Sequence, residues 1–215
     1  MAGEQYTIEF GSLQATAGWS FSASPGIAPS ALTIAVPFAA LESLTSPVDD
    51  RNCYRFSQTR NRDNLSRLSD CRLMRTGSPS GTGKLAQCQI VDRRWRWQFA
   101  YIDGVYNVER GAGANRTYER EKTPRELASL LLDAMGEVGY DVSALPNDPR
   151  PNVNWQSARA DQALASLCSQ LGCYPSLEFS SLGNPTTIHS IGEPQGVSYY
   201  DASTPVVRRS KAVQL

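Results

Sequence analysis

Apolar and polar positions alternate with a period of two across Arg94–Ile102. Trp95, Trp97, Phe99 and Tyr101 hold the odd positions, and Arg94, Arg96, Gln98, Ala100 and Ile102 hold the even ones. This alternation predicts a half-buried strand with one aromatic face, each buried ring contributing roughly 2–3 kcal/mol. Asp103-Gly104 then predicts a type I′ turn into a partner strand over Val105–Val108. Leu85–Val91 predicts a preceding strand, joined through a turn near Asp92-Arg93.

Upstream, Tyr6–Phe10, Gln14–Ser22 and Leu32–Val36 read as short strands separated by Gly11 and by the turn Ser24-Pro25-Gly26. Phe38–Leu44 fits a helical turn or a strand equally well. Ser46–Gly83 is polar and rich in arginine (Arg51, Arg55, Arg60, Arg62, Arg67, Arg72, Arg75), which predicts a long excursion with strands near Tyr54–Phe56 and Asp70–Met74. A solvated face is the favoured reading of those arginines, and an interface with an acidic partner is the alternative. Gly77–Lys84, GSPSGTGK, superficially resembles a phosphate-cradling loop. Five residues rather than four separate Gly77 from Gly83, Leu85 stands where a magnesium-binding hydroxyl is required, and a strand pattern follows instead of a helix. It reads as a hairpin loop.

Downstream the period changes to that of a helix. Gly111–Asn115 is a turn and Arg116–Lys122 is polar. Thr123-Pro124-Arg125-Glu126 then supplies an N-cap, a proline at the first helical position and the glutamate of a capping box. Leu127, Leu130, Leu131 and Met135, with Ala128 and Ala134, form the apolar stripe, and Gly136 or Gly139 ends the helix. Tyr140–Leu145 is extended, Pro146–Pro151 is a stiff connector, and Asn152–Trp155 is extended again. A second helix begins near Ser157, buries Ala160, Ala163, Leu164, Leu167, Cys168 and Leu171, and stops at Gly172 before a strand at Tyr174–Phe179. Leu127–Tyr140 and Leu164–Tyr174 echo each other as helix-to-strand units. In the tail, Thr186–Ser190 and Val197–Tyr200 read as strands, and Arg208, Arg209 and Lys211 form a small basic patch. The tail is expected to dock on a neighbour or to continue into a longer parent protein.

Composition narrows the picture. Lys plus Arg and Asp plus Glu both number 21 in 215 residues, so no overall charge points to nucleic acid or membrane. No apolar run approaches the roughly 20 residues of a membrane span. MAGEQYTIEF lacks a basic region followed by an apolar one, so it does not read as a signal peptide and synthesis in a cytosol is expected. The cysteines (Cys53, Cys71, Cys88, Cys168, Cys173) are odd in number and contain no CxxC, which argues against a disulfide framework or a zinc site. Cys168 and Cys173 read as buried apolar residues at a helix end. The single histidine, His189, has no evident nucleophile partner, and Glu119/Glu121 and Asp49/Asp50 read as solvated pairs. No catalytic, cofactor or metal residues are assigned, and the chain is not expected to be an enzyme.

The order Thr-Pro-x-Glu-Leu-Ala, Gly-Tyr-Asp-Val, a proline-rich link, Asn-x-Trp, and a helix ending Leu-Gly-Cys before a strand, over Thr123–Phe179, resembles the helical part of bacteriophage tail hub proteins. Asp92–Asn107, DRRWRWQFAYIDGVYN, is similar to a barrel hairpin of long-tailed phage tail proteins. The resemblance covers about half the chain. It implies an α+β fold: a β-barrel-like scaffold of antiparallel strands with a small two-helix α+β subdomain. The expected division is residues 1–118 (mainly β, with the polar excursion at 46–84), 119–182 (helix-strand) and 183–215 (irregular or β).

The resemblance further implies a structural virion component at the tail tip, made in the host cytoplasm. It would be a homo-oligomeric ring, a trimer, contacting the distal tail ring, the tape-measure protein and spike or fibre proteins, with DNA passing through its lumen without specific binding. Trp95 and Trp97 would pack the core or a subunit seam, and Arg94 and Arg96 would meet a neighbour or line a channel. Arg208 and Arg209 complete the interface residues. Another tail adaptor or distal tail protein is the nearest alternative. A single-stranded nucleic-acid module using Trp95-Arg96-Trp97 is a weaker one.

Overall fold

A computed structural model describes residues 6–10, 13–15, 19–22, 25–37, 54–60, 63–75, 85–177, 186–190, 196–201 and 204–211. The first strands are β1 (Tyr6–Phe10), β2 (Leu13–Ala15), β3 (Trp19–Ser22), β4 (Ala31–Pro37), β5 (Tyr54–Arg60), β6 (Asp63–Arg75) and β7 (Leu85–Val91). Near the C-terminus come β14 (Gly196–Asp201) and β15 (Thr204–Lys211). These join in one nine-stranded antiparallel sheet of order β15-β14-β3-β4-β7-β6-β5-β1-β2.

The pivot of this sheet is β6. Its first part pairs with β5, down to Cys71 opposite Tyr54, and its last residues, Arg72–Arg75, pair with β7. One register shift in the β5–β6 ladder, between Tyr54 and Phe56, lies at this handover, and a second lies between Gln58 and Thr59. Leu32, Ile34, Cys71, Cys88 and Ile90 fill the buried face. Among the described residues β15 and β2 do not pair with each other, and no closed barrel is formed.

The tail therefore does not stand apart. β14 pairs with β3, so residues near the two ends of the chain share one sheet, and β15 is a strand that the sequence pattern missed. Likewise 46–84 contributes two full strands, β5 and β6, to the sheet. The readings for Phe38–Leu44 and for Gly77–Lys84, apart from Leu85 onward, lie outside the described residues.

Residues between β7 and β14 build a second layer. It comprises β8 (Tyr101–Tyr106), β9 (Val108–Arg110), β10 (Thr117–Glu119), helix α1 (Pro124–Ala134), β11 (Val153–Arg159), helix α2 (Ala160–Gln170), β12 (Cys173–Leu177) and β13 (Thr186–Ser190). β8 pairs with β11, β9 with β10, and β12 with β13. The architecture is thus mixed: antiparallel sheets with few helices.

The first helix forms where its cap predicts, whereas α2 begins at Ala160 rather than near Ser157, because β11 runs on to Arg159 and no side chain caps the helix there. The Thr123 hydroxyl accepts the Glu126 N–H, and the Glu126 carboxylate accepts the Thr123 N–H in return. Gly136 and Gly172, at φ +75° and +65°, end α1 and α2 in the left-handed region that favours glycine. Leu127, Ala128, Leu131 and Leu132 of α1 pack with Ala160, Leu164, Leu167 and Cys168 of α2 around Trp97, Leu145, Trp155 and Ile188. Burial pushes the Cys168 thiol up to about 12.

Two expectations fail in the centre of the chain. Arg93–Phe99 is a 3₁₀ segment, not a strand. The Asp92 carboxylate accepts the Arg94 N–H and starts the turn, and internal partners for Arg93 and Arg94 allow charged side chains to occupy the interior. The aromatic positions therefore do not share one buried face: Trp97 is buried, Trp95 is half-buried, and Phe99 and Tyr101 are exposed. Asp103-Gly104 is not a turn either. Gly104 lies mid-strand opposite Trp155, with the Tyr106 ring folded over it, where a Cβ would stand 2.5 Å from that ring. β7 accordingly pairs with β4 and β6 and forms no hairpin through Asp92-Arg93 with the segment that follows.

Candidate interaction surface at the sheet–helix joint

The segment Asp92–Phe99 connects the last inner strand of the sheet to the helical layer, and consecutive side chains hold opposite sides of it. Asp92 and Arg94 grip the loop between β3 and β4. The Asp92 carboxylate accepts the Ser30 N–H at 2.7 Å, and the Asp92 N–H returns a bond to the Ser30 carbonyl. Arg94 donates to Asp92 (Nη2–Oδ2 2.7 Å), to the Ser30 hydroxyl (2.8 Å) and to the Gly26 carbonyl (2.7 Å). Gly26, at φ +86°, donates onward to the Pro175 carbonyl of β12.

Arg93 turns the other way, into the helical layer. Its Nε lies 3.0 Å from both oxygens of Glu137, and its Nη2 lies 2.7 Å from Oε2. Trp97 Nε1 donates to Glu137 Oε1 at 3.0 Å, and the Thr186 hydroxyl donates to Oε2 at 2.7 Å. Glu137 is delivered by the end of α1. The Gly136 N–H bonds to the Asp133 carbonyl and the Glu137 N–H to the Leu132 carbonyl, the paired bonds of a Schellman turn. Burial pushes the Glu137 carboxyl up. The hydrogen bonds and charge of Arg93, with the Thr186 and Trp97 donors, more than offset it and leave the group below its ordinary value.

The outer surface of the joint is aromatic and cationic. The Arg72 guanidinium lies 4.1 Å from the centre of the Trp95 ring, and Phe99 meets that ring edge-on at 5.9 Å. Met74, two residues along β6 from Arg72, is exposed with it. Tyr101 begins β8 opposite Arg159, which is ion-paired to Asp161.

Of the sequence-predicted interface residues, the structure brings Arg94, Trp95, Arg96 and Trp97 together on one 3₁₀ segment but divides them. Arg94 (2 % exposed) and Trp97 (1 %) are interior groups, so Arg94 does not present a free arginine face. Arg96 is exposed and Trp95 half-exposed. Arg208 and Arg209 lie on β15, opposite Tyr199 and Ser198, at the far end of the strand order from β6; their side chains lie outside the described residues. Asp92, Arg93, Glu137 and Thr186 were missed. One signal was available: Glu137 follows a helix-ending glycine, where an apolar side chain ordinarily packs back on the helix.

Among the described residues no group of three or more His, Cys, Asp or Glu side chains is placed to hold a metal ion, and no helix is long and apolar enough to cross a membrane. His189 stacks on Tyr174, with ring centroids 5.2 Å apart.

No protein-family model matches the sequence, and no curated protein matches it. Solved structures do resemble the fold. The 43 kDa tail protein of prophage MuSo2 from Shewanella oneidensis aligns with a TM-score of 0.50 at 11% identity, over 91% of this chain and 58% of that one. A tail protein from Neisseria meningitidis MC58 aligns with a TM-score of 0.50 at 11% identity, over 89% of this chain and 53% of that one. The chain thus spans a little over half the length of these two proteins, and what it shares with them is the fold of a phage tail protein.

Proposed function

We propose that this protein is a structural component of a phage tail, acting at the tail tip as a hub-like ring below the tail tube. In this reading the antiparallel sheet serves as the barrel-like scaffold of the ring, and the helical layer carries contacts to neighbouring tail proteins. The protein is a homo-oligomer, a trimer, that joins the distal tail ring and tape-measure protein to spike or fibre proteins. DNA passes its lumen without specific binding, and the protein performs no catalysis. The observation that carries the reading is the fold match over 91% of the chain to a prophage tail protein. The joint supports it as well, because Arg93 is tied to Glu137 in the helical layer while the adjacent Arg94, paired with Asp92, holds the β3–β4 loop of the sheet.

The test is to purify tailed particles from the strain that encodes the chain and to label them with gold-conjugated antibody. Label at the distal end of the tail, with about three copies per particle by quantitative mass spectrometry, is expected. Label on the tail at another position would favour an adaptor or distal tail role. Absence from intact particles would overturn the proposal.

A further inference from the structure

Two exposed surfaces of the described chain are complementary to each other. The first is the outer face of the joint. Phe99 is 65% exposed, Tyr101 60% and Met74 43%, around Trp95 and the exposed Arg72 and Arg96. Aromatic rings with arginine are the composition of energetically dominant interface centres. An apolar patch on this scale marks an interaction site when its rim is charged.

The second surface is the corner where α1 ends. The Schellman turn pulls Glu137 inward and throws the next residue, Val138, outward; at 83% it is the most exposed of the large apolar side chains described. It stands between Gly136 and Gly139, both at positive φ. The last turn of α1 has no basic residue, and the exposed Asp133 places a full negative charge there. Asp133 accepts the Tyr140 hydroxyl at 2.8 Å, which keeps its carboxylate at this corner. An apolar knob beside negative charge is thus presented by the same chain that presents an apolar patch beside positive charge.

We propose that these two surfaces meet between copies of this chain: the Asp133–Val138 corner of one copy docks on the Trp95–Phe99–Tyr101 face of the next, with Asp133 toward Arg72 and Arg96. The contact joins two different surfaces, so it repeats head-to-tail into a ring where the rotation closes, unless both pairs of surfaces meet at once in a two-fold dimer. A nucleic acid fits the aromatic face less well. Arg72 already occupies one face of Trp95 and Phe99 meets the ring edge-on, which reduces the indole surface open to base stacking.

This inference rests on the reading of the protein as part of an assembly and deepens it by naming the contact. Sedimentation velocity on the full chain across a concentration series at low salt is the test, with native fold checked by near-ultraviolet circular dichroism. The wild type is expected to self-associate. Arg96→Glu, Asp133→Lys and Val138→Glu are each expected to weaken association at least about tenfold. An equimolar mixture of the Arg96→Glu and Asp133→Lys proteins, or the double variant, is expected to restore it. Val138→Glu changes a side chain at the solvent-facing corner and serves as the variant that spares the fold. A wild type that stays monomeric throughout overturns the proposal. So does association indifferent to all three variants, or binding of a thymidine 20-mer that Phe99→Ser abolishes while no self-association is seen. The protein's presence in virions, tested separately above, stands or falls independently of these outcomes.

Discussion

The Arg93 guanidinium and the Glu137 carboxylate stand 44 positions apart in the chain and meet in the interior, Nη2 to Oε2 at 2.7 Å, with the carboxylate side chain 1% exposed and the arginine 10%. A buried pair of this kind contributes little net stability against an apolar replacement, but removing one partner strands the other. Glu137→Gln should therefore destabilise the fold by about 3–5 kcal/mol at neutral pH. Chemical denaturation read by tryptophan fluorescence measures it. A loss under about 1 kcal/mol would show that water reaches Arg93 in its place.

The same pair sets a pH dependence. Glu137 is held below its ordinary value in the folded chain, so the unfolded state binds a proton first as pH falls. The contribution of Glu137 is complete at neutral pH, declines once pH drops through the unfolded value of about 4.3, and is gone below the folded value. The stability gap between wild type and Glu137→Gln should narrow progressively on acidification below about pH 4. Denaturation midpoints for both proteins from pH 7 downward check this, and a constant gap would assign the effect of the substitution to packing.

Trp97 separates packing from hydrogen bonding. Its ring is in the helical core and its Nε1 donates to Glu137. Trp97→Phe should cost about 1–3 kcal/mol, through the missing donor and part of the ring volume. Trp97→Ala should cost about 3–5 kcal/mol through the cavity it leaves. Near-equal losses by calorimetry would place the whole effect in the hydrogen bond.

Asn107 ties two distant connections to one strand end. Fully buried at φ +59°, its side chain donates to the Lys122 and Pro151 carbonyls and accepts the Lys122 N–H. Asn107→Ala should cost about 2–4 kcal/mol, from polar groups left without partners and an unfavourable backbone region. Asn107→Gly relieves only the second part, so the difference between the two variants in urea unfolding isolates the backbone contribution of about 1 kcal/mol.

Cys168, buried in the same core with its thiol pushed up to about 12, carries almost no thiolate at neutral pH. Its alkylation, followed by peptide mass spectrometry at pH 8, should proceed only as fast as the chain unfolds. Rapid modification under native conditions would show that α2 opens locally.

The sequence by itself determined the elements whose causes are local. Thr123, Pro124 and Glu126 start α1 through contacts within one turn, and Gly136 and Gly172 end the helices because φ is positive there. The apolar spacing of α1 and α2 named most of the helical core, Leu127, Leu131, Leu164, Leu167 and Cys168 among it. Strands with plain alternation, β1, β4 and β7, were equally legible. Tertiary structure decided the rest. No periodicity could reveal that Arg93 and Arg94 are interior, because their burial depends on groups that other elements bring: Glu137 at the end of α1 for Arg93, and Ser30 and Gly26 of the β3–β4 loop for Arg94 and Asp92. Without those partners the Arg-Trp alternation reads as a strand; with them it is a 3₁₀ joint whose rings face both ways. The same holds for β14, which finds β3 across nearly the whole chain. Strand partnership is a non-local choice, settled only when the full sheet assembles over its buried face.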